Sequence, residues 1–481
     1  MTSIEKLLEH IINNVELKEA DINDDFIKEC KEEFHQDPSN IIARNSIVSI
    51  GSRLSTTSST RLNDINHIFM NTIKKRNTKA TNQGRSGRCW MFSGLNIFRH
   101  NVVNALEIPN FEFSETYLFF WDKFERSNTY LSWFVENPDI KPEDDEFKFL
   151  NDDFTGDGGW WNMFVNLVEK YGVVPKTSMK ETFQSGDSED MNKIIIDRLQ
   201  ACANAILKSN KSKEEKNEMK NETMKQVFSI LVKFLGEPPE EFEWSYVKDD
   251  GVSEIVGGLT PIKFKELVMP GLSLDEFIVL TNLPGNLNLR QMYEIEYTSN
   301  TKEGVNFTFL NLPMYELNKY ATNSVLSGLP VWFAADVSQD FHPYHSTLDD
   351  KLVDEELVFG SKHKFTKGDK ITFHNLQANH AMSIVGLNVK STGVTDSWQV
   401  ENSWGYWDNE TPGEDGFLYM SDSWFNDNVM QIVVHKSMLT RTLTKLSEET
   451  PIKLKPWNCV APATRIKPQR PPEIYNKLGY R

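Results

Sequence analysis

"NQGRSGRCWMFSG", residues 82–94, sets one cysteine between a glycine-rich run and an aromatic, on the threshold of a long amphipathic segment. From there Met91, Leu95, Phe98, Val102 and Leu106 recur at steps of four, three, four and four, which predicts one apolar stripe down a helix of about four turns. Cys89 then falls in that helix's first turn. An ordinary thiol is only about 3% ionised at pH 7, whereas a helix N-terminus together with a cationic histidine lowers its pKa to about 3.5–7.5. The glycines ahead of it permit close backbone approach. The stretch reads as the setting of an exposed, reactive thiolate.

The 481 residues, 39% hydrophobic and 25% charged, supply a sizeable core for one elaborate domain or a few packed lobes. Cys30, Cys89, Cys202 and Cys459 are scattered with no CxxC pair, which argues against a disulfide framework or a cysteine zinc site and for a reducing compartment. The N-terminal stretch is charged throughout, and nowhere do 18 apolar residues follow one another. A soluble, cytoplasmic protein with no membrane contact is expected. A formal net charge of −17 repels phosphate backbones, so nucleic acid is not the expected partner.

Residues 1–70 read as an N-terminal helical and loop segment, with "LLEHIINNVE" and "DDFIKECKEEF" at helical spacing and "SRLSTTSST" (52–60) as a loop. Residues 71–180 hold the cysteine helix and two more: "SETYLFFWDKFERSN", with Ser114 as N-cap, and "WWNMFVNLVEKYG", closed by Gly172 and Pro175. Residues 181–325 read as mainly helical, with 208–225 a solvated face or loop. Residues 326–455 carry "LSGLPVWFAADV", "HAMSIVGLNV", "SWQVENSW" and "GFLYMS", short runs expected as strands of one antiparallel sheet. Residues 456–481 form a C-terminal arm with an extension. The fold class is α+β.

A nucleophile needs a base, and among ten histidines His380 stands out because it opens a strand signal. The alternation Trp398, Val400, Asn402 brings an amide to the matching end of a neighbouring strand, where it can hold one ring nitrogen and aim the other at the thiol. No HExxH, GxSxG, GxxxxGK[ST] or EF-hand pattern occurs, and no metal or cofactor is expected.

Together "NQGRSGRCWMFSG", "NHAMSIVG" and "VENSWG" resemble the papain-like cysteine peptidases in order and local spelling. "FSETYLFFWDK", "GDGGWWNM" and "KYGVVPK" resemble the bleomycin hydrolase branch, the cysteine aminopeptidases. The resemblance implies a two-lobe fold, a helical lobe facing an antiparallel, barrel-like β lobe, with a large helical insertion. It makes Cys89 the nucleophile, His380 the base, Asn402 its orienting partner and Gln83 the donor to the oxyanion. Gly158 and Gly159 match the pair that binds an extended peptide substrate by strand addition, and Trp404 would shield the His380–Asn402 hydrogen bond. Ser86 stands where secreted relatives place a disulfide cysteine.

In this chain 291 residues separate Cys89 from His380, against roughly 130–150 in the papain pattern. The 181–325 insert accounts for the difference, and the resemblance implies that it mediates a homohexamer. "KPWNCVAPA" (455–463) resembles the branch's ending, but "TRIKPQRPPEIYNKLGYR" follows. That tail is expected to be extended and mobile, and either removed near Ala463 or bent away. An endopeptidase therefore stands as an alternative, with a non-catalytic scaffold behind it.

Overall fold

The computed structural model describes residues 22–73, 79–152, 154–285, 287–360, 365–405, 416–458, 460–468 and 471. "LLEHIINNVE", Cys459 and most of the tail beyond Pro468 lie outside them. The chain divides into two units, Met1–Asp64 with Lys351–His363, and Ile65–Asp350 with Lys364–Arg481.

In the smaller unit, helices Asp24–Gln36 and Pro38–Ile50 begin at side-chain caps. Asn23 accepts from Phe26 N at 2.9 Å and Asp37 from Ser39 N at 2.8 Å. The expected loop at 52–60 is instead largely helical, Ser52–Thr56 and Ser59–Asp64. Its hydroxyls fold back onto the preceding turn, Ser55 Oγ to Gly51 O at 2.7 Å and Thr56 Oγ1 to Ser52 O at 2.8 Å, so Ser and Thr satisfy themselves within the helix.

The larger unit is built on one sheet of twelve strands among the described residues. Its middle, Phe277–Thr281, Val429–His435, Val331–Ala335, His380–Val389, Thr395–Glu401 and Phe417–Ser421 in spatial order, is antiparallel throughout. The flanks depart from the expected all-antiparallel sheet. Phe307–Asn311 beside Phe277–Thr281, Ile452–Leu454 beside Gln291–Ile295, and Thr347–Leu348 beside Phe417–Ser421 are parallel. Each of these pairs is joined through intervening elements, as parallel pairing requires.

The 181–325 segment is helical over Glu189–Lys208 and Lys213–Leu235, but it also gives the main sheet Phe277–Thr281, Gln291–Ile295 and Phe307–Asn311. It is therefore not mainly helical past its first half. β-branched and aromatic runs such as "FIVLT" and "FTFLN" pack better on a pleated surface than on a helix.

Helix Cys89–Leu106 runs through the core. The expected stripe is buried at Met91, Leu95, Phe98 and Val102, but so is the opposite face, with Trp90, Ser93, Ile97, Arg99 and His100. Sheet strands pack on one side and helices Glu115–Glu136 and Trp161–Tyr171 on the other, so this helix is buried all round from Cys89 to His100, and only its last turns reach solvent, at Asn101, Asn104 and Ala105. Ser114 caps the first of those helices by accepting from Tyr117 N at 3.1 Å, and Gly172, at φ 69°, ends the second.

Candidate active site

Cys89 is the first residue of its helix, so its thiol sits among backbone N–H groups that carry no intrahelical partner. One turn on, Ser93 Oγ meets Ser383 Oγ at 3.1 Å. That bond ties the first turns of the cysteine helix to the start of strand His380–Val389. The thiol also lies within reach of the Ala381 backbone N–H, next to His380. Cys89 is fully buried, not exposed as the sequence suggested. Burial pushes its thiol up to about 12, against the pull of the backbone N–H groups of Ala381, Trp90 and Cys89. Burial likewise brings His380 down to about 4, opposed by its bond to Asn402. In both groups burial favours the uncharged form.

Asn402 fixes the tautomer of that imidazole. Its Oδ1 receives the Ser403 N–H at 2.8 Å and lies 2.7 Å from His380 Nε2. A carbonyl oxygen can only accept, so Nε2 carries the proton and Nδ1 is left to take one from the thiol. Trp404 stacks on the ring, centroids 4.3 Å apart, and covers this bond.

Gln83 is zipped to the Asn402 loop. Its N–H donates to Ser403 O at 2.8 Å, its Oε1 accepts from Ser403 Oγ at 2.6 Å, and its Nε2 donates to Ser86 O at 2.7 Å. An amide nitrogen has two hydrogens, so one remains for an oxyanion. Where secreted relatives carry a disulfide, Ser86 Oγ donates to Gln83 O at 2.7 Å and accepts from Arg88 Nε at 2.8 Å. A Cβ on Gly158 would lie 2.1 Å from Ile466 O and 2.8 Å from Pro468. Gly159 lies against Trp90, whose ring leaves a Cβ there only 2.7 Å.

Three polar clusters escaped the sequence reading. Arg88, just before the nucleophile, grips Glu181 through Nη1 at 3.2 Å and Nη2 at 2.8 Å. Asp157, beside the glycine pair, accepts from Gly87 N at 3.0 Å, Asn192 Nδ2 at 2.7 Å and Ser188 Oγ, and pairs with Lys123 Nζ at 2.7 Å. Burial alone would raise its pKa, but Lys123 and these donors hold it well below the usual carboxylate range. Glu401, the neighbour of Asn402, pairs with Arg99 and lies 3.1 Å from His100 Nε2; the two partners are on the cysteine helix and all three residues are buried. A carboxylate directly before the "NSW" run was the one available sequence signal.

Removing one partner of such a pair strands the other charge, at a cost of about 3–5 kcal/mol. Glu401→Ala is therefore expected to lower unfolding free energy by about that much in urea titration. A change below about 1 kcal/mol would show that the Arg99–Glu401 pair does not hold the helix to the sheet.

Residues 21–461 match the family model described as Peptidase C1-like family. The chain belongs to the Peptidase C1-like family. It is 34% identical to Aminopeptidase C of Listeria monocytogenes over 426 residues, 88% of this chain and 95% of that protein. It is 36% identical to Bleomycin hydrolase of Homo sapiens over 402 residues, 82% and 88% of the two chains. The crystal structure of pepw from Lactobacillus rhamnosis superposes with a TM-score of 0.87 at 29% identity, covering 92% of this chain and 98% of that one. The family match includes Gln83, Cys89, His380 and Asn402 but stops short of the arm from Pro462 onward.

Proposed function

We propose that the protein is a cysteine peptidase of the bleomycin hydrolase type, working as an aminopeptidase on peptide substrates. The observation that carries the chemistry is Asn402 Oδ1, which accepts from Ser403 N and thereby commits His380 Nε2 to donating and Nδ1 to accepting. Cys89 passes its proton to His380 and attacks the scissile carbonyl. The oxyanion that forms is held by Gln83 Nε2 and the Cys89 backbone N–H. His380 then protonates the leaving amine, and water attacks the acyl-enzyme with His380 again as base. Asn402 and Trp404 keep the imidazole in register through both steps. The Arg88–Glu181 grip and the Asp157–Gly87 bond support the loop that carries Gln83 and Cys89. The exopeptidase assignment is supported by relatives named as aminopeptidases. Irreversible labelling by a papain-type epoxide, mapped to Cys89, tests the chemistry; an inactivating label on another residue would overturn it.

The protein is further proposed to assemble into a homohexamer and to work in the cytoplasm. Self-association is supported by apolar side chains left in solvent. Ile22, Phe26, Ile27 and Phe34 lie on or beside a helix that buries none of its residues, and Val247, Val252 and Ile255 stand on the hairpin Phe242–Leu259. Sedimentation velocity is expected to show a hexameric mass, and an active monomer would refute the assembly. A reducing compartment is supported by the free thiols of Cys30, Cys89 and Cys202. No described helix is long and apolar enough to cross a membrane.

A further inference from the structure

His380 is the first residue of its strand, and residues 375–379, which lead into it, belong to no helix or strand. What holds that approach is a buried pair of side chains at the end of the neighbouring strand, Val331–Ala335. Ala335 stands opposite His380 in the ladder, and Asn379 N donates to Ala335 O at 3.0 Å. The next residue, Asp336, turns its carboxylate back toward the chain entering the His380 strand. Its Oδ1 accepts from Asn379 Nδ2 at 2.6 Å, from Ser338 N at 3.0 Å and from Ser338 Oγ, and its Oδ2 accepts from Gln377 N at 3.2 Å. Asn379 closes the ring of bonds by accepting from Val337 N at 2.8 Å through its Oδ1.

Both residue types follow from this wiring. The Val337 N–H can only donate, so the Asn379 amide must turn Oδ1 to it and Nδ2 to Asp336, which commits both ends of the side chain. Asn379 Nδ2, Ser338 N, Ser338 Oγ and Gln377 N all bring hydrogens to Asp336, and only a carboxylate accepts every one of them. An amide there would set one donor against another. Asp336 and Asn379 are both buried. A buried carboxylate is costly unless its oxygens are hydrogen-bonded, and bonds to a charged acceptor are shorter and stronger than those between neutral groups.

We propose that Asp336 and Asn379 form a clamp that positions His380 against the Cys89 thiol. The clamp rests on the proposed function in taking His380 as the base. Asn402 holds the imidazole at Nε2 and sets its rotation; the clamp holds the main chain from which the ring hangs. Both residues act through the backbone at His380 and are positioning residues. A shift of about 1 Å in a reacting group costs up to about 10² in rate, so a bond one residue away from the base is felt in the chemistry.

The test exchanges the two side chains in the full chain. Asn379→Asp sets two carboxylates against each other, and Asp336→Asn sets an amide donor against another donor. Made together, the two substitutions restore a hydrogen bond of the opposite direction and keep an acceptor for Val337 N. kcat and KM for a free-amine peptide are measured beside the rate of Cys89 alkylation by iodoacetamide, mapped by peptide mass, which requires the thiolate whose proton His380 takes. Each single variant is expected to lower kcat and the alkylation rate about tenfold or more with little change in KM, and the exchange to be faster than either. A role in folding alone would lower the thermal midpoint and leave both rates at wild-type values. An exchange that fails to outrun both single variants, a loss confined to KM, or wild-type rates in the single variants would overturn the clamp. If neither single variant keeps a cooperative thermal transition, Asn379→Ala, which introduces no repulsion, decides: rates about tenfold lower uphold the clamp and wild-type rates overturn it. Alkylation in the expected order without peptide turnover in any form, wild type included, would uphold the clamp and sink the peptidase reading. Wild-type alkylation and turnover in the single variants would do the reverse.

Discussion

Cys89→Ala is expected to abolish peptide turnover, a loss of about 10⁵–10⁶ in kcat, because every covalent step begins from this sulfur. The residual rate of roughly 10³–10⁴ over water would come from the oxyanion donors and binding alone. Stability should change little. The side chain is fully buried, but only one sulfur is removed and the backbone is already helical, so a loss of about 1–2 kcal/mol is expected in urea titration. Cys30 and Cys202 cannot substitute. Cys202 is buried, with a thiol that burial raises, and Cys30 lies on helix Asp24–Gln36, where among the described residues no hydrogen bond joins a histidine to an asparagine. Turnover retained in Cys89→Ala would remove the nucleophile from the account.

Gln83→Ala comes second, with an expected fall in kcat of about 10²–10³ and a smaller change in KM. The oxyanion exists only in the transition state, so its donor stabilises that state and barely touches bound substrate. The structure adds a complication that sequence alone could not show. Gln83 also accepts from Ser403 Oγ and donates to Ser86 O, so alanine removes a brace between the two loops. Gln83→Glu separates the effects, since it keeps the acceptor for Ser403 and loses the donor. Equal kcat losses in both variants assign the effect to the donor. A loss in alanine alone would assign it to the brace, and an effect confined to KM would contradict the oxyanion role.

The proposed catalytic groups could be picked out because each announces itself locally: a cysteine opening a periodic helix, a histidine opening a strand, an asparagine just past the end of the next one. Helix starts at Ser114 and stops at Gly172 were legible for the same reason. What was missed depends on partners far along the chain. Arg99 and Glu401 lie 302 residues apart and Arg88 and Glu181 lie 93 apart, and no short-range pattern links such pairs. The segment after Ala463 illustrates the same limit. "TRIKPQRPP" has the composition of a mobile linker, yet Trp160 and Gln431 bond Thr464, Ala378 O accepts from Lys467 N, and the glycines at 87 and 158 leave room for Ile466 and Pro468. The strands of 277–311 were hidden because the strongly charged helices before them dominate the reading of that segment.

The central claim is that this site is an aminopeptidase built on Cys89 and His380. Its most direct test is kcat/KM of the full-length protein on two peptides that differ only in an N-terminal acetyl group. Hydrolysis of the free-amine peptide at its first bond, with the acetylated peptide slower by about 10² or more, is the expected result. Equal hydrolysis of both, with cuts at internal bonds, would contradict it and make the protein an endopeptidase.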